Sequence, residues 1–446
     1  MTIPVDLLRL KLADSLTAVP PTLTRRDVRL PAVAGKALAV IGVRRGGKTS
    51  FLHQCRQDRI TAGQPAESQL LVSLEDERLA GMTVTDLGWL IDEHARQFPA
   101  IRAADGFTVY LDEVQVVPNW EGLVRRLIDA GDVRIFVSGS SARLLSREVA
   151  TSLRGRAMEV LVQPFSFREA LRHGGAEPVE PWDRLGSRQR TELDHRLRSY
   201  LEVGGFPEAQ GIDHRDRLSL LSAYVDVMVL RDVIERHSVS NPTALRWLLR
   251  QLLANPGGLF SVQKQYETIR SQGIAVSKDT LHEYLAHLED VFLVRTVALH
   301  TASERQRMVN PRKAYPVDPG LIAIYERTGR EQRGRALETA VLLELVRRGY
   351  TASYVRTPEG WEVDFLAERV GEPPVLVQVS QETKDESTWN REVRALASAQ
   401  ATIPGARAVL VTLDGSPPVR PLPDGVAWAP AAKWLTEGRL PFANLV

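Results

Sequence analysis

The stretch VIGVRRGGKTSFL, residues 40–52, decides the fold of the first part of the chain. It contains the pattern G-x-x-x-x-G-K-[ST] at residues 42–49, after an apolar run and before a segment whose apolar residues have helical spacing. A strand, a glycine-rich loop and a helix in this order form the context in which the pattern binds nucleotide phosphates. We therefore predict a P-loop in an α/β nucleotide-binding domain.

The composition of this loop follows from the chemistry of phosphate binding. Glycines let backbone N–H groups close around phosphates at a helix N-terminus. Lys48 is expected to reach the β- and γ-phosphates, and the Thr49 hydroxyl to hold Mg²⁺. ATP and Mg²⁺ are thus the expected cofactors, and the predicted nucleotide-binding residues are Gly42, Arg45, Gly46, Gly47, Lys48, Thr49, Ser50 and, from a later strand, Ser138.

A P-loop of this kind needs a second element, an apolar strand that ends in an acid. FTVYLDEVQ, residues 107–115, fits this description. Asp112 is the predicted metal-linked acid, and Glu113 the carboxylate that orients or deprotonates the attacking water. Because two adjacent acids suit core packing poorly, we expect hydrolysis and not nucleotide binding alone.

A third predicted strand, VRIFVSGSSARLL at residues 133–145, ends in serines. Ser138, Ser140 and Ser141 are candidates for contact with the γ-phosphate, although a serine-rich turn explains them as well. Arg154 and Arg156 follow on a loop before the next strand. One of them is a candidate arginine finger, in cis or from a neighbouring subunit of a homo-oligomer. An ordinary solvated basic loop is the alternative.

The bulk properties of the chain set the class of protein. With 446 residues the chain is expected to form several domains. The net charge of +2 implies that any nucleic-acid surface is a local patch, and the single cysteine, Cys55, excludes an internal disulfide. The N-terminus lacks the layout of a signal peptide, and no apolar run approaches the roughly 20 residues of a membrane span. These features predict a cytoplasmic protein without a membrane partner.

The order GVRRGGKT, VYLDEVQ, VSGSSARLL, LRGR, PFSFREAL and YLEVGGFPEA resembles the prokaryotic AAA+-type P-loop ATPases that carry a C-terminal domain of unknown function. The resemblance covers nearly the whole chain, and the last two motifs are its more specific marks. It implies an ATPase, and it implies that Arg156, in the G-R position, is the better arginine-finger candidate.

The pattern along the chain predicts four parts. They are a P-loop domain with an N-terminal helix at residues 1–164, a helical lid at 165–240, a winged-helix-like domain at 241–330 and a C-terminal α/β domain at 331–446. The helix expected to read a DNA groove exposes Lys278, Asp279 and Glu283, which is a poor electrostatic footprint. Reading DNA and contacting protein therefore stay open as roles. Basic residues beyond this helix would contact phosphate from the flank, namely Arg305, Arg307, Arg312 and Lys313.

The C-terminal part resembles the restriction-endonuclease-like core, in which one acid ends the second strand and an E-x-K motif lies on the third. Asp364 matches the first acid and Glu338 the helix acid, whereas Gln378 and Ser380 replace the E-x-K residues. Gln378 offers a metal only a neutral oxygen, and Ser380 cannot replace the lysine. Glu392 would restore one carboxylate. We therefore expect a degenerate site, with Glu338, Asp364 and Gln378 as its members, and weak or absent cleavage.

Together these features predict an Mg²⁺-dependent ATPase whose nucleotide state controls a nuclease-like domain that acts on or binds DNA. Glu113, Arg156 and Lys48 are its expected catalytic residues, and Thr49 and Asp112 its metal ligands. The alternatives are an ATP-gated endonuclease for branched or duplex DNA, and a protein-binding NTPase switch without nucleic acid.

Overall fold

The computed structural model describes residues 2–17, 22–103, 107–131, 133–139, 153, 155–326 and 332–437. The chain divides into two compact units, Met1–Gln163 and Pro164–Val446. In the ranges described, every helix is too short or too polar to cross a membrane.

The first unit is built on a five-stranded sheet of order β2-β3-β4-β1-β5 in which all neighbouring strands are parallel. Its strands are β1 (Ala37–Ile41), β2 (Gln69–Ser73), β3 (Thr108–Asp112), β4 (Arg134–Ser138) and β5 (Ala157–Leu161). Its helices are α1 (Val5–Thr17), α2 (Lys48–Thr61), α3 (Val84–Gln97), α4 (Ala100–Ala103) and α5 (Trp120–Ala130). Short 3₁₀ turns lie at Ala66–Ser68, Glu77–Leu79 and Val114–Val116. The predicted parallel-sheet P-loop domain is confirmed.

The sheet of the first unit brings the predicted nucleotide-binding segments to one edge. Parallel strands end at the same edge, where β1 is followed by the P-loop, β3 is followed by Glu113, and β4 ends with Ser138. The β1 strand is buried over all five residues, as its apolar sequence ALAVI predicts. Phe51, Leu52 and Cys55 of α2 pack on it and on Tyr110 and Phe136.

The second unit begins with a helical region and a small antiparallel sheet of order β6-β8-β7. The helices are α6 (Phe167–His173), α7 (Ser187–Val203), α8 (His214–Val227), a π-helix (Met228–Glu235), α9 (Pro242–Ala254), α10 (Val262–Ser271), α11 (Lys278–Asp290), α12 (Glu304–Val309) and α13 (Ile322–Tyr325). The strands are β6 (Leu259–Phe260), β7 (Val294–Val297) and β8 (Arg312–Pro316). Further 3₁₀ turns lie at Trp182–Arg184, Pro207–Ala209 and Pro319–Leu321.

The second unit ends with a five-stranded sheet of order β13-β12-β11-β10-β9. Its elements are α14 (Arg333–Arg347), β9 (Thr351–Arg356), β10 (Glu362–Glu368), β11 (Val375–Ser380), α15 (Glu386–Thr402), β12 (Arg407–Thr412), β13 (Val426–Pro430) and α16 (Ala431–Glu437). The first three strands pair antiparallel, and the last three pair parallel. The sequence of β13, VAWAP, gives a weak strand signal because it is short and ends in proline.

One core joins the two ends of the second unit. Phe167, Leu197 and Tyr200 of α6 and α7 pack in the same cluster as Leu337 and Trp434. Two polar contacts close the same join, because Trp182 N donates to Glu437 Oε1 at 2.9 Å and Lys433 Nζ to Asp183 Oδ1 at 2.8 Å. Two helices of the predicted lid segment, α6 and α7, thus bury apolar residues in the same core as the C-terminal sheet.

The two specific motifs of the resemblance meet in a buried backbone contact. Phe165 of PFSFREAL donates its N–H to the carbonyl of Gly205 in YLEVGGFPEA at 2.7 Å. The carboxylate of Asp318 accepts from Gly205 N at 2.6 Å and from Gly320 N at 2.9 Å. A Cβ at Gly205 would lie 2.1 Å from Phe165 O, so glycine is required there. These motifs therefore have a packing role in the second unit.

Candidate functional site

The P-loop closes between β1 and α2. Gly47 precedes the helix with a φ of +98°, and Gly42 leaves the strand with a φ of +148°, a region that L side chains rarely adopt. Val162 packs against this turn so closely that a Cβ at Gly42 would lie 2.0 Å from its carbonyl oxygen. Lys48 is buried, and its Nζ donates to the carbonyls of Gly42 at 3.2 Å and Val43 at 3.1 Å. The loop is therefore folded around its own lysine.

Three predicted side chains form one cluster at the neighbouring strand ends. Thr49 Oγ1 donates to Asp112 Oδ2 at 2.8 Å, and Ser138 Oγ donates to Asp112 Oδ1. Burial raises the pKa of Asp112, and the hydrogen bonds from Ser138 and Thr49 oppose this effect. The structure thus brings together the hydroxyl and the acid that the sequence assigned to the metal, with Ser138 beside them.

Glu113 follows Asp112 in the chain and has an unusual backbone conformation. Its φ of +57° is rare for a residue with a side chain, and such strain concentrates at functional sites. Its N–H donates to Ser138 Oγ at 3.1 Å, and Gln115 Nε2 donates to its carboxylate at 2.5 Å. Glu113 is half-buried beside Asp112, where a carboxylate can reach a water molecule at the site.

Arg45 and Ser50 flank the loop on its exposed side. Arg45 has a φ of +63° and Ser50 lies in the first turn of α2, with both side chains exposed. Gly46 is buried, and its N–H donates to Val43 O at 3.1 Å. The eight residues predicted to bind nucleotide are therefore contiguous at one edge of the sheet.

Arg156 lies at the opposite edge of that sheet. Its carbonyl accepts from Ala37 N at 2.8 Å, at the start of β1, and the five residue steps to Gly42 correspond to about 16 Å. Its guanidinium pairs with Asp129 at 3.1 Å. A finger role in cis is therefore wrong, because Arg156 faces away from its own P-loop. Arg154, Ser140 and Ser141 lie outside the described residues.

Arg26, which the sequence did not single out, supports the P-loop by binding one of its backbone carbonyls. Arg26 is buried, and its guanidinium donates to Gly46 O at 2.9 Å and to Gln163 O. The side-chain amide of Gln54 holds the backbone of Arg26 through bonds of 2.7 and 3.1 Å. The sequence TRRD before β1 contains no motif that could have identified this contact.

The second unit assembles a different cluster around Lys313 of β8. Its Nζ lies 3.2 Å from Glu338 Oε1, 3.0 Å from Glu362 Oε1 and 3.0 Å from Asp364 Oδ1. Lys313 is only 2% exposed. The prediction that Lys313 contacts phosphate from the flank of the winged helix is therefore wrong, because its ammonium group is buried among carboxylates. Arg305 and Arg307 are exposed, and Arg312 is half-buried.

The predicted degenerate-site residues do meet beside this lysine. Asp364 N donates to Gln378 Oε1 at 3.2 Å, and Val379 N donates to Asp364 Oδ2 at 3.0 Å. Gln378 Nε2 donates to Glu392 Oε2 at 2.5 Å. Glu392 thus reaches the cluster as the sequence suggested, but it does so through Gln378. Ser380 donates to Glu382 O at 2.8 Å and takes no part.

The donor set at the P-loop fits a magnesium ion, whereas the set around Lys313 does not. Thr49 and Asp112 offer a hydroxyl and a carboxylate side by side, the oxygen ligands that Mg²⁺ takes together with nucleotide phosphates. Around Lys313, an ammonium group already lies among the carboxylate oxygens. Within the described ranges, no group of three or more acidic, histidine or cysteine side chains is arranged to hold a metal ion.

Two family comparisons match adjoining parts of the chain. Residues 34–171 match the AAA domain family, and residues 194–332 match a domain of unknown function, DUF8612. The second match covers the middle of the chain and stops before α14. The AAA match contains the P-loop, Asp112, Glu113 and Ser138.

Two relatives are similar along most of their length. An uncharacterized protein of Methanocaldococcus jannaschii, MJ1544, is 32% identical over 380 residues, which are 84% of this chain and 81% of that protein. An uncharacterized protein of Haemophilus influenzae is 31% identical over 345 residues, or 77% and 82% of the two chains. Among solved structures, the Walker-type ATPase PABY2304 of Pyrococcus abyssi matches with a TM-score of 0.39 and 16% identity, over 72% of this chain and 95% of that one.

Proposed function

Because the chain belongs to the family of the Methanocaldococcus jannaschii protein and carries an AAA domain at residues 34–171, we propose that it is an Mg²⁺-dependent ATPase whose nucleotide state controls the second unit. The observation that carries this proposal is the contact between Thr49 and Asp112 at 2.8 Å, beside the P-loop lysine. Thr49 and Asp112 would hold Mg²⁺, which would neutralise phosphate charge when bound.

The residues of this chain divide the work of hydrolysis. The P-loop backbone and Lys48 would bind the phosphates, with Arg26 holding the carbonyl of Gly46 in place. Glu113 would accept a proton from the attacking water or orient it, and Gln115 would keep its carboxylate directed. Ser138 would hold the Asp112 carboxylate in position through the hydrogen bond from its hydroxyl.

Arg156 would serve as an arginine finger only for a neighbouring subunit, since it lies about one strand length from its own P-loop. We expect Arg156→Ala to lower ATP turnover by about 100-fold or more with little change in ATP affinity, because it would remove charge stabilisation in the transition state. Mixing Arg156→Ala with Glu113→Gln protein should restore turnover, since mixed interfaces combine an intact Glu113 with an intact Arg156.

Arg134 provides a matched control for this experiment, because it is exposed and begins β4 at the same edge of the sheet. Arg134→Ala should turn over ATP at the wild-type rate. Turnover at the wild-type rate by Arg156→Ala protein would remove the finger role from this residue.

We further propose that the second unit binds nucleic acid through a winged helix formed by α10, α11 and the β6-β8-β7 sheet. A short strand, two helices and two further strands of the same antiparallel sheet form the layout in which the second helix can enter a groove. Exposed basic side chains near this sheet support phosphate contact, namely Lys264, Arg270, Lys278, Arg305 and Arg307.

Binding to DNA is expected to be electrostatic and largely independent of sequence. The exposed face of α11 has Asp279 and Glu283 beside Lys278, and it lacks the arginine and asparagine side chains that read base edges. Fluorescence anisotropy should therefore show affinity that falls steeply between low and moderate salt and differs little among duplex sequences. Strong preference for one duplex at moderate salt would contradict this prediction.

The same near-neutral face of α11 favours a second candidate, a protein-binding switch that never contacts nucleic acid. ATP turnover measured with and without single-stranded, duplex and branched DNA separates the two functions. Stimulation by DNA that disappears in Lys48→Ala protein supports the nucleic-acid function. Turnover indifferent to every DNA, together with absence of binding at low salt, supports the protein switch. Absence of any Lys48-dependent turnover would refute the ATPase itself.

A further inference from the structure

The restriction-endonuclease-like interpretation of the C-terminal sheet implies a divalent metal ion, and the residues present do not fit one. We propose that the ammonium group of Lys313 takes the place of that metal ion, so that the carboxylates of the sheet form a metal-free clamp on β8. With this clamp, the second unit would bind its partner and link the movement of β8 to the C-terminal sheet, and it would not cleave phosphodiester bonds.

The first support is the position of the lysine relative to the acids. Nζ lies within 3.2 Å of carboxylate oxygens from Glu338 on α14 and from Glu362 and Asp364 on β10. A metal ion bound by Glu338 and Asp364 would need the space between them that the ammonium group fills. Burial disfavours the charged lysine, but the carboxylates, Asp364 foremost, raise the pKa of Lys313 above its ordinary value.

The second support is that the remaining oxygen atoms are already engaged. Tyr315 OH donates to Glu338 Oε1 at 2.6 Å, and Glu338 Oε2 packs on Gly257, where an added Cβ would lie 2.8 Å from it. The second oxygen of Asp364 accepts from Val379 N. The amide of Gln378 bonds Asp364 N with its oxygen and Glu392 with its nitrogen. Glu338 Oε1 and both carboxylate oxygens of Asp364 therefore already accept hydrogen bonds that a metal ion would have to displace.

The third support is that the charges balance without a divalent ion. Burial and the nearby Asp364 raise the pKa of Glu338 above its usual range, because a second charged acid beside Asp364 is disfavoured. Lys313 then neutralises Asp364, and Glu362 is one-third exposed and solvated, with a side-chain exposure of 34%. Glu392 pairs with the guanidinium of Arg391 at 2.6 Å.

The clamp also explains how two sheets of the second unit are joined. Lys313 lies within the DUF8612 match, whereas its acid partners lie beyond the end of that match. Tyr354 extends the join, since its backbone N–H donates to Ala298 O at 3.0 Å and its side-chain hydroxyl donates to Pro311 O at 2.7 Å. Movement of β8 would therefore be passed directly to β10 and α14.

The test begins with Lys313→Met, which keeps the length of the side chain and removes its charge. Removing one partner of a buried ion pair leaves the acids uncompensated, and we expect the melting temperature to fall by about 5–10 °C. Adding Asp364→Asn to this variant should restore part of the loss, because it removes the acid whose charge Lys313 neutralises. Added Mn²⁺ should also restore part of the loss, because the cavity would then accept a cation. Lys264→Met, at an exposed lysine of the same unit, should melt like wild type.

The full-length wild-type protein provides a second measurement that does not depend on a variant that folds poorly. Titration calorimetry should show the same Mn²⁺ binding in wild type and in Asp364→Asn. DNA incubated with either protein in Mg²⁺ or Mn²⁺ should stay uncut. A Mn²⁺ site in wild type that Asp364→Asn removes would overturn the proposal, and so would cleavage that it removes. Failure of Lys313→Met to lower the melting temperature would overturn it as well. None of these outcomes depends on ATP turnover, so the proposed ATPase is tested separately.

Discussion

Replacing Glu113 with glutamine is expected to slow ATP hydrolysis by about 100-fold or more while ATP binding stays near the wild-type level. A general base contributes on the order of 10²- to 10⁴-fold to such a reaction, and glutamine keeps the shape of the side chain without its basicity. Glu113 follows β3 and is not part of the P-loop, so we expect its replacement to leave the phosphate-binding loop intact. Single-turnover hydrolysis and a fluorescent-nucleotide binding assay measure the two quantities.

Lys48→Ala is the matched comparison, because it should fail at the earlier step. Lys48 is buried within the loop, and its loss removes both a phosphate charge partner and two bonds to loop carbonyls. Binding and hydrolysis should both be lost. If Glu113→Gln protein hydrolyses ATP at the wild-type rate, the base is another group and the assignment of Glu113 fails.

Gly42→Ala is expected to abolish nucleotide binding almost as completely as Lys48→Ala. The added Cβ would lie 2.0 Å from the carbonyl oxygen of Val162, which is backbone and cannot rotate away. The loop or β5 must then shift, and misplacement of a binding loop by about 1 Å can cost on the order of 100-fold. Nucleotide affinity and the melting temperature should be measured together, so that a local shift can be told from unfolding.

Gly63→Ala is the control that separates steric overlap from backbone strain. Gly63 also has a positive φ, +93°, but a Cβ there would have nothing within 4 Å. This variant should bind nucleotide normally, and its loss of stability, about 1 kcal/mol or more, should come from the positive φ alone. Equal loss of binding in both variants would mean that contact with Val162 is not the cause.

The nucleotide site could be predicted from sequence because its parts are local. The P-loop is eight consecutive residues, and Asp112 with Glu113 ends an apolar strand that is recognisable by itself. Their meeting at one edge follows from the rule that parallel strands end together. The edge occupied by Arg156 follows from the same rule, since residues that precede a strand lie at the opposite edge from those that follow it.

The cluster around Lys313 could not be predicted in this way. Its lysine is 25 residues from Glu338 and 51 residues from Asp364, and it belongs to a different sheet. On β8 it lies in RKAYP beside Arg312, where a charged residue is most simply interpreted as exposed. Arg26 was missed for a related reason, since its partner Gln163 is 137 residues away. Contacts of this range leave no periodic trace in the sequence.

The core that joins both ends of the second unit has a consequence for synthesis on the ribosome. Residues 167–201 supply one side of that core, and α16 supplies another about 240 residues later. Until α16 has left the exit tunnel, the apolar faces of α6 and α7 can pack only with the earlier part of this core, and the side that α16 covers stays exposed. The first unit has no such delay, because β5, the last strand of its sheet, ends at Leu161. The first unit should therefore be able to fold on the nascent chain before α16 of the second unit has been synthesised.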